Sequence, residues 1–561
     1  MWKPLEGLRY RVQFGPEFRQ YETGTMNKYG SINSDYSRKG SWARNQDRNW
    51  VLDNLIYYDK VIADVHKIGI TLMQSATKKH YDTMSMSNSA LTSDTELWYN
   101  LGTPADNMKA GSGYSESQMA SYMARLNYSF MDRYLLTASV RRDGSSVLSA
   151  GHKWDSFGSV ALGWRIDQEE FMQDVDWVSQ LKLRAGYGSS GSSAINPYDT
   201  KGGLQELYYH WGNTSALGYL GSDASAKNPN MMANQNVGWE RTTQTNIGVD
   251  FAVFKSRISG SIDYYINKTD DILTAMKIPS ISGYTTTMAN VAASKGWGID
   301  VQLSAIPYQG NGFRWTTTLT WSKDKSEITE LANGATEDWA NKWFVGEEIL
   351  VFADYVYDGI WTTAEEELAK KYNRKVGQIK VKDLDGDGDI DADDRCKSIG
   401  SVRPSWSGGW NNTLTYKNWE LSFFIFSRWG FTVNQGALTL DGRFMQRKID
   451  YFVPGYNENA EYYQPGINGE SQDQYQSCMN YQDGSYIKLR NVSLGYSLSP
   501  KQLNGTGLSN LKIYAQLMNP CTLYSKCKWL DTDLMNYDNN TRILGSTTTI
   551  RGFVIGLNIG F

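Results

Sequence analysis

Long apolar runs are what this chain most lacks: the longest clean stretch is Leu421 to Phe426, and Ser422 interrupts it. A membrane-crossing helix needs about 20 apolar residues, so with a negative mean hydropathy a helical membrane protein is excluded. A tilted barrel strand needs only about 9 to 11 alternating residues, so the same shortage leaves an outer-membrane barrel open. Cations are not in excess, since 56 Lys and Arg stand against 60 Asp and Glu for a net charge of −4. That balance argues against a nucleic-acid partner, which wants a basic surface. The four histidines (His66, His80, His152, His210) fall at no metal-ligand spacing, so zinc hydrolysis and nucleophilic triads have no support and the chain reads as a non-enzyme. The four cysteines (Cys396, Cys478, Cys521, Cys527) show no CxxC spacing. A Cys521–Cys527 bridge in an oxidising compartment and free buried thiols both stay open. No apolar signal core follows Met1-Trp2-Lys3-Pro4, so the expectation is a surface protein not shown from its beginning.

What is abundant is aromatic and alternating. Aromatics make up 13% of the chain, with 36 Tyr and 20 Trp against 18 Phe, and amphipathic rings concentrate at membrane interfaces and sugar-stacking sites. The last eleven residues, RGFVIGLNIGF, put Phe553, Ile555, Leu557, Ile559 and Phe561 on one face and Val554, Gly556, Asn558 and Gly560 on the other, a β-strand with one bulky apolar side. The same period recurs upstream. Tyr122, Ala124, Leu126, Tyr128 and Phe130 alternate with polar neighbours, Met131-Asp132-Arg133 reads as a tight hairpin, and Tyr134, Leu136, Ala138 and Val140 resume the apolar face. Further strands are expected around Val160, Leu181 to Tyr187, Ile247 to Val253, Ile258 to Ile266, Trp297 to Leu303, Phe313 to Trp321, Trp410 to Tyr416, Trp419 to Trp429, Ile487 to Leu498 and Leu511 to Leu517. Near Arg490-Asn491 the apolar phase slips from odd to even, as a β-bulge would cause. With the less regular segments Gly7 to Gln20, Asn49 to Tyr58 and Asp64 to Lys79, about 16 strands result.

Connections alternate between short and long, the long ones falling near 21–48, 80–118, 189–240, 267–293, 327–403, 430–484 and 519–549. Structureless loops beyond about 12 to 15 residues are uncommon in a compact soluble domain. Short turns on one side and long loops on the other suit an outer-membrane barrel. The alternation then assigns Arg125, Asn127, Lys182, Arg184, Asn246, Asp250 and Gln302 to the lumen, and Leu126, Leu183, Val249, Ile262 and Val301 to lipid.

Six spaced blocks carry a family. ARLNYSFMDRYLLTASVRRDGSS (Ala124 to Ser146), WDSFGSVALGWRIDQEEFM (Trp154 to Met172), LKLRAGYGSSG (Leu181 to Gly191), NVGWERTTQTNIGVDFAVF (Asn236 to Phe254), DYYINKTDDIL (Asp263 to Leu273) and YIKLRNVSLGYSL (Tyr486 to Leu498) resemble, in order, the SusC/RagA family of TonB-dependent outer-membrane transporters. The terminal strand ending on Phe561 is similar to the signal by which Gram-negative outer-membrane barrels are recognised for insertion; an ordinary sandwich strand is the bland alternative. The resemblance implies an all-β fold, an antiparallel transmembrane β-barrel with about 16 of the family's 22 strands, spanning 1–561 as one domain with a large extracellular loop at 327–403. It implies an N-terminal extension, TonB box and plug upstream of the residues given. It further implies outer-membrane import of oligosaccharides or peptides with a SusD-like surface lipoprotein lid and TonB. A passive porin-like barrel and a secreted calcium-binding β-rich adhesin are the alternatives.

The strongest chemical signal is DLDGDGDIDADD, Asp383 to Asp394. Asp383, Asp385 and Asp387 stand at calcium-loop positions 1, 3 and 5, Gly388 at the sharp turn, Asp389 at 7 to lend its carbonyl, and Asp394 at 12. Asp in place of Glu at the last position shortens the reach, which suits monodentate binding of Ca²⁺ or smaller Mg²⁺; a solvated acidic turn is the alternative. A helix candidate, TAEEELAKKY from Thr363, precedes the loop. Gly186, Gly188 and Gly191 spell GxGxxG but open into a Ser/Asn loop with no helix to seat a phosphate, which excludes a dinucleotide site. Loop aromatics such as Tyr208, Tyr209, Trp211, Tyr462 and Tyr463 either stack on sugars or pack the loops together.

Overall fold

The computed structural model describes residues 2–31, 36–202, 204–208, 215–219, 231–434, 450–466, 473–505, 507–527, 531–534 and 549–561. Among them no helix is long and apolar enough to cross a membrane. Sixteen strands among the described residues run nine residues or longer, the number the sequence pattern implies: β1 Leu8–Asn27, β2 Lys39–Ile62, β3 His66–Asn88, β4 Met108–Phe130, β5 Tyr134–Ser145, β6 Trp154–Arg165, β7 Val178–Ser192, β8 Glu240–Val253, β9 Ile258–Lys277, β10 Thr286–Gly310, β11 Phe313–Glu330, β12 Trp406–Tyr416, β13 Trp419–Trp429, β14 Tyr486–Ser497, β15 Asn510–Ser525 and β16 Gly552–Gly560. Gly186, Gly188 and Gly191 are positions within β7. The chain forms two compact units.

The first unit comprises Met1–Trp164, Ala185–Thr245 and Thr269–Ala292. Strands β1 to β6 form an antiparallel meander in which each pairs with the next. One of its tight turns is the expected one: Phe130 opposes Tyr134, Met131 and Asp132 adopt φ of 54°, and the Arg133 N–H donates to the Phe130 carbonyl at 3.0 Å. Register keeps like opposite like. Leu126 faces Ala138, which faces Val160, while Arg125 faces Ser139, which faces Ser159. Leu126, Val140, Val160 and Leu162 nevertheless stay exposed, and a contiguous uncovered apolar face of this kind is made for hydrocarbon.

The strands of this unit run further than the apolar period alone indicates. Segments 21–48 and 80–118 are expected as loops, yet β1 reaches Asn27, β2 starts at Lys39, β3 reaches Asn88 and β4 starts at Met108. Polar residues occupy both faces there, so the backbone ladder continues without an apolar stripe to reveal it. A buried cluster of Val147, Leu148, Phe157, Val237 and Trp239 packs beside the long connections, where Trp239 Nε1 donates to the Lys153 carbonyl at 2.9 Å.

The second unit comprises Arg165–Arg184, Asn246–Lys268 and Ala293–Phe561. An apolar stripe crosses seven of its strands in register: Leu303 faces Leu319, Leu319 faces Trp410 and Trp410 faces Ile425, then Leu421 faces Leu494, Leu494 faces Ala515 and Ala515 faces Ile555. Phe424 opposes Asn491 while Ile425 opposes Leu489, so Arg490 is the extra residue of the bulge that the phase slip indicates. Between β11 and β14 the chain builds a separate layer from short strand pairs, Val351–Tyr355 with Arg395–Ser401, Tyr357–Ile360 with Ile379–Val381 and Thr432–Asn434 with Tyr481–Asp483. Ile379, Val381, Tyr463, Tyr475 and Cys478 form one of its cores. The helix expected from Thr363 is present as a turn, Thr363–Glu365, running into α1, Glu366–Lys371, and Thr362 and Glu365 close a capping box at its start.

Candidate functional site

On the polar face of the second unit, three strands converge their charges. Arg184 of β7 lies 2.8 Å from Asp250 of β8 and 2.9 Å from Asp263 of β9. Gly248 makes the room, because a Cβ there would stand 2.2 Å from Asp263 Oδ1 and 2.8 Å from Arg184 Nη2. Two carboxylates on one guanidinium leave this patch with a net negative charge. Leu183 and Ile262, the neighbours of Arg184 and Asp263 in sequence, are 38% and 43% exposed on the apolar face. The alternation therefore separates a hydrogen-bonding surface from a hydrocarbon one within a single strand thickness.

The acidic loop lies in the connecting layer. Asp383 accepts backbone N–H groups from Gly386 at 2.6 Å and Gly388 at 3.0 Å and the Tyr372 hydroxyl at 3.1 Å. Gly388 turns with φ of +88°, a conformation that L side chains rarely adopt. Carboxylate oxygens of Asp383, Asp385 and Asp387 lie within 4.8 Å of one another. Burial raises the Asp383 carboxyl, but the Gly386, Tyr372 and Gly388 donors outweigh it and hold the group below the usual carboxylate range. Asp385 moves the other way: the Asp387 N–H lowers it, and burial with the negative charges of Asp387, Asp394 and Asp383 raises it further than that. Three of the five residues singled out in sequence are thus brought together. Asp394, 1% exposed, instead accepts the N–H groups of Leu384 at 2.6 Å and Asp391 at 2.9 Å, and the Asp389 carboxylate accepts the Ile390 N–H at 2.8 Å.

What steadies this layer was not visible in the sequence. Arg374 Nη2 forks onto both oxygens of Asp473 at 2.8 and 2.7 Å, and Asp473 also accepts the N–H groups of Ile379 and Tyr475. The two residues stand 99 positions apart, beyond any local motif. The Arg374 guanidinium lies over the Tyr475 ring, 4.9 Å from its centroid. Burial pushes the Cys478 thiol up to about 12, so it stays protonated and inert. No disulfide joins Cys396, Cys478, Cys521 and Cys527 to one another. Tyr462 and Tyr463 are buried, at 4% and 3% exposure, and pack the layer; they offer no platform to a sugar. Tyr209 and Trp211 lie outside the described residues, as does the side chain of Tyr208. A further buried cluster escapes sequence reading too: Lys488, 2% exposed, reaches Asp531 at 2.6 Å and Thr549 at 2.9 Å, while Tyr486 donates to Asp533 at 2.6 Å.

Comparison with known proteins gives one answer. The profile described as "TonB dependent receptor-like, beta-barrel" matches residues 4–519. The chain is similar to TonB-dependent receptor P26 of Formosa agariphila, 31% identical over 596 residues, covering 100% of this chain and 58% of that protein. It is similar to TonB-dependent receptor SusC of Bacteroides thetaiotaomicron, 30% identical over 475 residues, covering 80% of this chain and 44% of that one. Among solved structures, that of the RagAB peptide transporter superposes with a TM-score of 0.82 at 21% identity, over 100% of this chain and 60% of that chain. The chain thus spans less than two thirds of the length of each of these relatives.

Proposed function

The chain belongs to the TonB-dependent receptor β-barrel family, and from that premise we propose that it supplies the barrel wall of an outer-membrane importer for oligosaccharides or peptides. Its fold is an antiparallel transmembrane β-barrel of the outer membrane, with the long connections extracellular. The proposal is carried by the family match along residues 4–519. The polar face bearing Arg184, Asp250 and Asp263 then lines the lumen, where hydrogen-bonding groups suit hydrated solutes such as sugars and peptides. Its partners in this reading are a SusD-like surface lipoprotein lid and the TonB system. The SusC relative, named a TonB-dependent receptor, supports the TonB partner, and the RagAB structure, titled a peptide transporter, supports peptide as one cargo class. The test is growth on oligosaccharides or peptides as sole nutrient by a strain deleted for the full-length gene. Restoration by the gene only while TonB is present supports import. Growth independent of both the gene and TonB contradicts it.

We also propose that Asp383, Asp385 and Asp387 hold a hard divalent cation, Ca²⁺ or Mg²⁺, as their shared oxygen chemistry suits. Asp389 would add its carbonyl, and Asp394 would join only by giving up its two backbone partners. The consequence is order in a surface loop, not catalysis.

A further inference from the structure

The outward face of the first unit changes character along β4. Even-numbered residues carry the apolar side: Leu126, Ala124 and Tyr122, with Tyr122 stacked on Trp154 at 6.1 Å. At the short-turn end the same face carries Phe130 and Tyr134, stacked at 6.2 Å, with Tyr134 opposite Trp164. Eight residues separate Phe130 from Tyr122. At about 3.3 Å per residue and a tilt near 40° they span ~20 Å, close to the height of an outer-membrane apolar band between its aromatic girdles.

Beyond the outer girdle the same face continues through Gln118, Glu116 and Tyr114, roughly 10 to 20 Å further out by the same arithmetic. These three open a cavity of about 260 Å³ completed by Lys153, Tyr198 and Lys201. Glu116 is its one carboxylate, and that charge is taken up inside the wall. Lys78 lies 3.0 Å from it, while Tyr114 and Gln118 each donate to it at 2.8 Å. Lys153 and Lys201 are exposed and have no carboxylate partner among the described residues; the Lys201 ammonium stands over the Tyr198 ring at 5.9 Å. Arg142, exposed at the girdle itself, sits over Trp154 at 5.9 Å. The cavity therefore offers open cations beside tyrosine rings on the side of the sheet that also faces lipid. Solute in the lumen lies behind the strand backbone, on the other face.

We propose that this pocket holds the phosphorylated sugar headgroup of an outer-leaflet lipid, its phosphate between Lys153 and Lys201 and its sugar against Tyr114 and Tyr198. Charge complementarity selects the anion, and the lipid-side face of the sheet, with Lys153 directly beside Trp154 of the girdle, selects a lipid over transported cargo. A basic residue near a membrane surface contributes roughly fivefold to such binding, so losing two costs roughly 25-fold. The experiment titrates the full-length protein in nanodiscs with a diphosphorylated glucosamine-disaccharide lipid and with its dephosphorylated form. It compares wild type with Lys153→Gln plus Lys201→Gln, and with a control carrying Lys255→Gln plus Lys417→Gln at the short turns; heat-modifiable migration in detergent verifies that each folds. Expected are preference for the phosphorylated lipid, loss of roughly 25-fold in the first variant and none in the control, and no displacement by millimolar inorganic phosphate. Equal affinity for the two lipids, equal affinity of wild type and first variant, an equal loss in the control, or displacement by phosphate alone overturns the proposal.

Discussion

Single residues decide the behaviour of the loop layer. Arg374 and Asp473 are 10% and 1% exposed at the side chain, so Arg374→Ala leaves a carboxylate buried without its counter-ion, which costs about 3 to 5 kcal/mol. The expected outcome is faster hydrogen exchange across 361–381 and 473–480 with unchanged barrel migration in detergent. A protection pattern identical to wild type would remove the pair from this account. The acidic loop gives a signed pH dependence. Asp385 is raised above the ordinary carboxylate range and Asp383 is held below it, so Asp385 takes up its proton before Asp383 as pH falls, and a bound cation needs it ionised. Without cation the sign reverses: a carboxyl raised in the folded state favours the fold at low pH and loses that contribution as pH rises through its folded value. Calorimetry with Ca²⁺ and Mg²⁺ should show affinity near 10⁻⁴ to 10⁻³ M that weakens on acidification, and little heat for Asp385→Asn with Asp387→Asn. Equal heats for both proteins would reduce the loop to a solvated acidic turn.

A strand is legible in sequence to the extent that one of its faces needs hydrocarbon. In β16, Phe553, Ile555, Leu557 and Ile559 alternate against small or polar residues, and the slip at Arg490 marks its bulge two elements earlier. The upper parts of β1 to β4 carry no such stripe, and their pairing shows only in the ladder. Nor does period two say which inward groups meet: Asp263 joins Arg184 from 79 positions away, through register that no local pattern encodes. The two faces of β7 give the energetic contrast. Leu183→Arg puts a charge toward lipid and should destabilise the refolded barrel by about 2 to 4 kcal/mol at mid-membrane, falling toward zero near the interface. Lys182→Leu on the other face should change stability far less. Urea titrations of the two variants in lipid vesicles measure this, and equal losses would contradict the facing assigned to the strand.

At the scale of the molecule, the fold and the family were readable from six sequence blocks and an alternation of connection lengths, because a barrel repeats one constraint along the chain. The proposed lid, cargo and headgroup pocket are not repeated constraints; each depends on what a few residues meet in space. One claim is central: a single wall separates lipid from lumen residue by residue. Single cysteines placed at Lys182, Asn246 and Gln302, and at Leu183, Val249 and Val301, in full-length protein with Cys396, Cys478, Cys521 and Cys527 replaced by serine, test it directly in intact outer membranes. The account predicts that a membrane-impermeant thiol reagent labels the first three positions and spares the last three; labelling of the last three with protection of the first would contradict it.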